Sequence, residues 1–465
     1  HPTAPASAPV LRCTGPPPNA MLKIAAFIAA LLTAITVVAA EPWPRFRGLH
    51  AGVAADHPSL PEAWSRTENV VWAVEVPGLA WSSPIVWGDT VFVTTAESGG
   101  DEPEPQPGLY DPGDDFGKKP AAAVHRFAVL AYDVATGGLR WRRDLATVAP
   151  PELKHIKNSF ASETPVTDGD RLYVYFGSIG LLAALDLAGE TVWSVDLGAF
   201  NGRQEFGTAA SPALHEDRVY VVNDNRETSF LAAFDAATGR ELWRVERDEV
   251  ESWSTPFVWE NELRTEIVTA GWRKIRSYDL EGQELWSLGP MTLNVTPTPF
   301  SAHGLVYLSS GYPGGHPRPV YAVRPGATGD ISLAEGESRN EHVAWFQPRL
   351  GTYNTSAIVV GDIYYTLLDR GFLLAHDART GEEIYGRQRI ARGHGFTASP
   401  WSYNGRLFLL SEEGTTYAVP LGGKFEVVAT SPLDELTLAT PAVAGDSLFL
   451  RTRSRLYRIS AGAGE

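Results

Sequence analysis

The chain has 465 residues, 39 Lys+Arg against 55 Asp+Glu for a formal charge of −16, 44% hydrophobic residues, 44 Gly, 34 Pro, 14 Trp, 16 Tyr and one Cys. That apolar content excludes wholesale disorder, and the acidic balance excludes a nucleic-acid binder, which needs Lys and Arg to neutralise phosphates. A single cysteine excludes a disulfide framework and a cysteine-based zinc site, and the Gly, Pro and Trp richness points to short strands and tight turns.

Residues 1–20 read as an upstream translation artefact, because a secretory signal peptide occupies 21–40: Met21-Leu22-Lys23, an apolar run over 24–38, and Ala39-Ala40 before the cleavage point. The apolar run is too short for a membrane span, so no integral membrane segment is expected after cleavage. Removing residues 1–40, which carry Arg12, Lys23 and no acidic residue, takes the charge from −16 to −18 and removes Cys13. The mature chain is expected to be periplasmic or secreted, without a lipid-anchoring cysteine. Residues 41–68 form an N-terminal extension.

From residue 69 one pattern recurs. A Ser/Thr-Pro step leads into an apolar strand, a tight turn and a second strand; after a variable loop, a third strand ends in Asp, a Thr-Gly turn follows, and a fourth strand carries Trp. The clearest tails are Ala131-Tyr132-Asp133, Thr136-Gly137, Trp141 and Ala233-Phe234-Asp235, Thr238-Gly239, Trp243. Altered copies end at Trp193, Trp286 and Tyr385. The strands begin at Ser83-Pro84, Thr164-Pro165, Ser211-Pro212, Thr255-Pro256, Thr298-Pro299, Ser356-Ala357, Ser399-Pro400 and Thr440-Pro441, and proline spacings of 47, 44 and 41 fit four short strands each. Asp opens each turn by accepting backbone N–H groups, Gly supplies the positive φ, and Trp fills the space between neighbouring sheets. A lone four-stranded sheet cannot bury both faces, so the units must stack and close. The last copy, 439–459, holds only three strands, and the orphan strand 69–76 with Trp72 can supply the fourth. The expectation is all-β: an eight-bladed β-propeller over 69–459, made of four-stranded antiparallel blades and closed by an N-terminal strand, with a tail at 460–465. A sandwich array or two smaller propellers would leave both the missing strand and the spare one unexplained.

The repeat Ala-x-Asp-x-x-Thr-Gly-x-x-x-Trp resembles the PQQ-type propeller family across 69–459. That resemblance implies quinoprotein alcohol and glucose dehydrogenases, the outer-membrane assembly lipoprotein BamB, or exported propellers of unsettled activity. Trp43-Pro44-Arg45-Phe46-Arg47-Gly48 and Ser162-Glu163-Thr164-Pro165 resemble the last group.

In a four-strand meander the blade junctions and the second-to-third-strand loops share one face, and these carry the polar variety. The candidate ligand or partner face comprises Asn158, Ser162, Glu163, Trp253, Tyr353, Asn354, His394 and Phe396 from junctions, with Arg226, Arg273, Lys274, Asp369 and Arg370 from the loops. Ser and Thr before each strand can also satisfy local turn hydrogen bonds. The largest insertion, 97–126, reads as a flexible acidic loop, since Asp111, Asp114 and Asp115 lack EF-hand spacing. A second insertion, 324–340, joins a third strand to a fourth on the opposite face.

Enzyme motifs are sparse. No Gly-x-Ser-x-Gly or His-Glu-x-x-His occurs, and the vicinal cysteines of many quinoproteins are missing. The expected function is an exported, monomeric, non-catalytic scaffold with no metal and no cofactor, binding a protein or small ligand that the acidic field would favour as basic. The alternative is a PQQ- and calcium-dependent dehydrogenase of an alcohol or sugar, with Glu163, Asn158 and Asp369 as cage and base and catalytic residues otherwise unassigned.

Overall fold

Each repeat folds on its own turn chemistry. In the first blade the Asp133 carboxylate accepts the Thr136 backbone N–H (2.8 Å) and hydroxyl (2.9 Å), and Gly137 follows at φ 72°. The same set recurs at Asp235 with Thr238 and at Asp377 with Thr380. The computed structural model describes residues 1, 3–4, 41–102, 104–108, 123–151, 153–202, 204–393 and 395–462. The artefact and leader assigned to 1–40, apart from residues 1, 3 and 4, lie outside them, as does the central part of the acidic insertion.

Eight sheets form, running in chain order over 85–148, 166–196, 213–246, 257–288, 300–347, 358–389, 401–432 and 442–459. The eighth has three strands of its own, Ala442–Ala444, Ser447–Arg451 and Arg455–Ile459, and takes Val70–Glu75 as its outermost fourth, paired antiparallel from Val70↔Ile459 to Glu75↔Arg455. This is the closure expected for an eight-bladed propeller. The fourth blade departs from the pattern: within the 324–340 insertion, Gly329–Asp330 pairs parallel with its outer strand as a fifth member.

The core lies between blades rather than within them, as where Ile85, Phe92 and Phe127 pack on Leu172, Val174 and Leu185. Each tail Trp is a wedge with a tether. Trp72 of the eighth blade donates its indole N–H to Val134 O (2.8 Å) of the first and lies so close to Gly137 that a Cβ there would sit 2.7 Å from the ring. Trp141, Trp193, Trp243 and Trp345 repeat the bond to Leu187, Ala236, Leu280 and Ala378 of the following blade. The turn glycine is therefore required twice, by φ and by the neighbouring indole. Trp286 differs: it bonds Glu266 of its own blade (2.7 Å), and its strand is the one that pairs with the fifth strand.

The N-terminal extension crosses the central channel. Trp43 exchanges both backbone hydrogen bonds with Val86 of the first blade (2.9 Å each), and Pro44 O accepts Thr167 N of the second (2.9 Å). Arg47 is buried, bonds Ala51 O (2.6 Å) and Ala357 O, and lies over the Phe300 ring at 5.2 Å. Gly52 and Ala54 then bracket Ser402 of the seventh blade through its backbone N–H and carbonyl. The Trp-Pro-Arg-Phe-Arg-Gly segment is thus a plug tied to inner strands around the ring.

Candidate functional site

Above the plug the inner strands enclose a funnel of about 410 Å³. The Ser/Thr that starts each blade faces it: Ser83, Thr164, Ser211, Thr255, Thr298, Ser356, Ser399 and Thr440. Two residues earlier in each blade a second ring does the same: Trp81, Ser162, Ala209, Trp253, Thr296, Asn354, Thr397 and Leu438. Extended backbone turns every second side chain the same way, so one period-2 step per blade builds both rings. Phe46 of the plug lines the bottom, and His155, Lys157, Asn158, Phe206, Tyr312, Tyr353 and Arg370 stand around them.

The lower ring is held from blade to blade, not by local turns as the sequence suggested. Ser83 N donates to Thr164 Oγ1 (2.9 Å), Thr164 N to Ser211 Oγ (2.9 Å) and Ser211 N to Thr255 Oγ1 (3.1 Å). The series resumes with Thr298 N to Ser356 Oγ (3.0 Å), Ser356 N to Ser399 Oγ (3.0 Å) and Ser399 N to Thr440 Oγ1 (2.9 Å). Ser83 Oγ is buried with no partner among the described residues.

Aromatic side chains are fixed by their polar ends. Trp81 Nε1 donates to Lys157 O (2.7 Å) and Trp253 Nε1 to Gly207 O (2.6 Å). Phe206 stacks on Trp253 with centroids 6.4 Å apart, and Tyr312 meets Tyr353 edge-on at 5.4 Å. Burial pushes the Tyr353 phenol up and drives His155 down to about 4, helped by Lys157 and Lys154, so that imidazole is neutral. Lys157 is neutralised by Glu412, both of whose oxygens lie 2.8 Å from Nζ. Glu412 also accepts Thr397 Oγ1 and Gly108 N (2.6 Å each), which pins the stem of the acidic insertion at the rim.

The sequence-derived candidates separate into three groups. Asn158, Ser162, Trp253, Tyr353, Asn354 and Arg370 line the funnel. Glu163 and Asp369 are buried behind it, and Phe396 is a core residue against Gly371 and Tyr417. Phe396 therefore leaves the face, because its alternation in the strand-approach segment turns it outward into the blade. Arg226, Arg273 and Lys274 sit away from the cavity, facing Glu205 (3.7 Å), Asp248 (3.6 Å) and Asp330 (3.0 Å). His394 lies outside the described residues. Sequence reasoning missed Phe46, Trp81, His155 and Phe206. Trp81 was findable, since it precedes Ser83 by the same two residues that separate Trp253 from Thr255.

A PQQ–calcium centre does not fit the residues cast for it. The Asn158 amide is spent on Phe206 O (2.8 Å) and Thr208 O (3.3 Å), and its oxygen accepts Ser159 N and Ser162 Oγ. Asp369 pairs with Arg318 (3.0 Å), and Glu163 accepts Gly177 N (3.2 Å). No Asp or Glu is among the described lining residues, so a divalent cation there would have no carboxylate to neutralise it. The same fact removes the electrostatic reason to expect a basic occupant inside the funnel, whatever the net charge outside.

Residues 125–387 match the family model described as outer membrane protein assembly factor BamB. Among solved structures, the chain is similar to BamB from Moraxella catarrhalis, at 14% identity and a TM-score of 0.58, covering 85% of this chain and 98% of that one. It is also similar to the quinohemoprotein alcohol dehydrogenase from Comamonas testosteroni, at 12% identity and 0.55, covering 91% and 81%. The computationally designed Ika8 protein gives 13% identity and 0.50, covering 72% and 93%. At such identities the likeness speaks for the fold alone. No curated protein matches the chain.

Proposed function

The chain belongs to the family described as outer membrane protein assembly factor BamB, and from that premise we propose that it is an exported, monomeric binding propeller whose ligand or partner segment enters the funnel end-on. The observation that carries this reading is the well itself: two rings of uncharged side chains from all eight blades, with Phe46 of the plug in the same lining. A rigid concave site with aromatic walls and a few convergent polar groups is the ordinary form of a small-ligand pocket. The funnel's one described imidazole, His155, is a weak base, pushed down to about 4 by burial, and the carboxylates Glu163 and Asp369 are buried outside the lining. Export rests on the 21–40 leader reading. No helix among the described residues is long and apolar enough to cross a membrane.

Native mass spectrometry of the protein recovered from a cell envelope tests the reading against Ala209→Trp, which fills the funnel. The expected result is a non-covalent adduct on the wild type that the variant lacks. Stoichiometric retention of PQQ with Ca²⁺ through gel filtration, with alcohol- or sugar-dependent dye reduction, would overturn it in favour of a quinoprotein.

A further inference from the structure

The funnel carries its chemistry in neutral atoms. Through both rings and down to Phe46, every described side chain is a hydroxyl, an amide, an aromatic ring or an aliphatic group. Of the two cations in the described lining, Lys157 is already paired with Glu412 at 2.8 Å and Arg370 is exposed to solvent, outside both rings. A fixed charge carried down to the rings would lose its water without gaining a counter-ion there, so the buried part of the occupant is uncharged.

The hydroxyls also select. Those of Thr164, Ser211, Ser356 and Ser399 each accept a backbone N–H from the preceding blade, which leaves the hydroxyl proton and a second lone pair for the cavity. A group that both donates and accepts is matched by another of the same kind, an alcohol. Trp81 and Trp253 have their indole N–H groups tied to backbone carbonyls, so what they offer is fixed carbon surface, widened at Trp253 by Phe206. Flat carbon surface beside a ring of neutral hydroxyls suits a molecule with an apolar C–H face and hydroxyls around its edge.

We propose, building on the binding reading above, that the funnel takes a neutral saccharide, one sugar ring lying against the tryptophan surface and its hydroxyls meeting the lower ring. The volume of about 410 Å³ falls within the roughly 300–1,000 Å³ of small-ligand sites. Uronic acids and sugar phosphates are disfavoured because neither ring holds a cation and the one unpaired cation of the described lining, Arg370, is exposed to solvent. A peptide would bring backbone N–H and C=O groups that need free backbone partners, and at the lower ring the N–H groups of Ser83, Thr164, Ser211, Thr298, Ser356 and Ser399 are already given to the next blade's hydroxyl.

Isothermal titration calorimetry of the full chain against maltose, cellobiose and diacetylchitobiose, with digalacturonate and a blocked Trp-Gly peptide alongside, tests this. The expected result is millimolar or tighter binding of at least one neutral disaccharide, weakened about tenfold by Trp253→Ala and abolished by Ala209→Trp. Ala209→Trp removes no packing, so it stands if Trp253→Ala unfolds. Digalacturonate binding more tightly than every neutral sugar, or no sugar binding at about 10 mM, overturns the saccharide assignment. If the peptide binds instead and Ala209→Trp abolishes that, the funnel reading survives without the saccharide; if Ala209→Trp alters neither, both fall.

Discussion

Substituting Glu163 by Gln should change how the stability of the propeller depends on pH. The carboxyl is 1% exposed, Oε1 accepts Gly177 N at 3.2 Å, and Oε2 has no partner among the described residues. Burial outweighs the hydrogen bonds and pushes it from 4.5 up to about 7. The folded state therefore holds a proton that the unfolded chain releases between those values, so stability present at low pH is lost as pH rises through the interval. At 1.36 kcal/mol per pH unit the interval corresponds to about 3 kcal/mol. His155, held neutral down to about 4, works oppositely between that value and 6.5, and Asp133 and Asp330, lowered to about 2, act below both. All three are common to wild type and variant. The difference in unfolding free energy between them, from urea titrations at about pH 4.5, 6 and 8, isolates Glu163. Glu163→Gln should gain on the wild type by about 3 kcal/mol between the lowest and highest pH, because the amide never ionises. A difference that is flat with pH would refute a protonated buried carboxyl at this position.

Trp72→Ala should loosen the closing strand: it removes the Val134 bond and the Gly137 contact at once, costing about 3–5 kcal/mol, with hydrogen exchange rising first in Val70–Glu75 and Arg455–Ile459. Asp224→Ala leaves the Arg247 guanidinium buried without its bidentate partner (2.7 and 3.0 Å); loss of about 3–5 kcal/mol is expected by denaturant melt, and no loss would mean that Thr269 and Tyr278 suffice. Gly48→Ala places a Cβ 2.6 Å from the Trp43 ring at φ 65°, so the plug should leave the channel and trypsin should cut at Arg45 and Arg47. Resistance equal to wild type would show that the segment can shift in place.

Local chemistry made the blades legible. Asp133, Thr136 and Gly137 write a turn whose bonds span only a few residues, and the three-strand copy at 439–459 with the spare strand at 69–76 fixes how the ring closes. Half of the funnel was equally readable, since Trp253, Asn354 and Ser162 stand at one constant offset from the Ser/Thr that starts each blade. Phe396 misled because nearness in sequence to Thr397 says nothing of which way alternation turns it. The arginines at 226 and 273 stay exposed in their loops near Glu205 and Asp248 and do not line the funnel, since charge in a loop does not show which neighbour will face it.

What the amino-acid order alone determined is what depends on short range: strands, turns, the indole wedge, the number of blades and the seal. Tertiary structure alone decided that Phe46, some forty residues before the first ring position it approaches, forms the floor, and that Glu412 crosses the chain to neutralise Lys157. It also decided that an acidic protein of charge −16 encloses a well with no acidic side chain among its described lining. Net charge is a sum over the surface, whereas the field inside a pocket is set by the few groups that folding brings within a few ångströms.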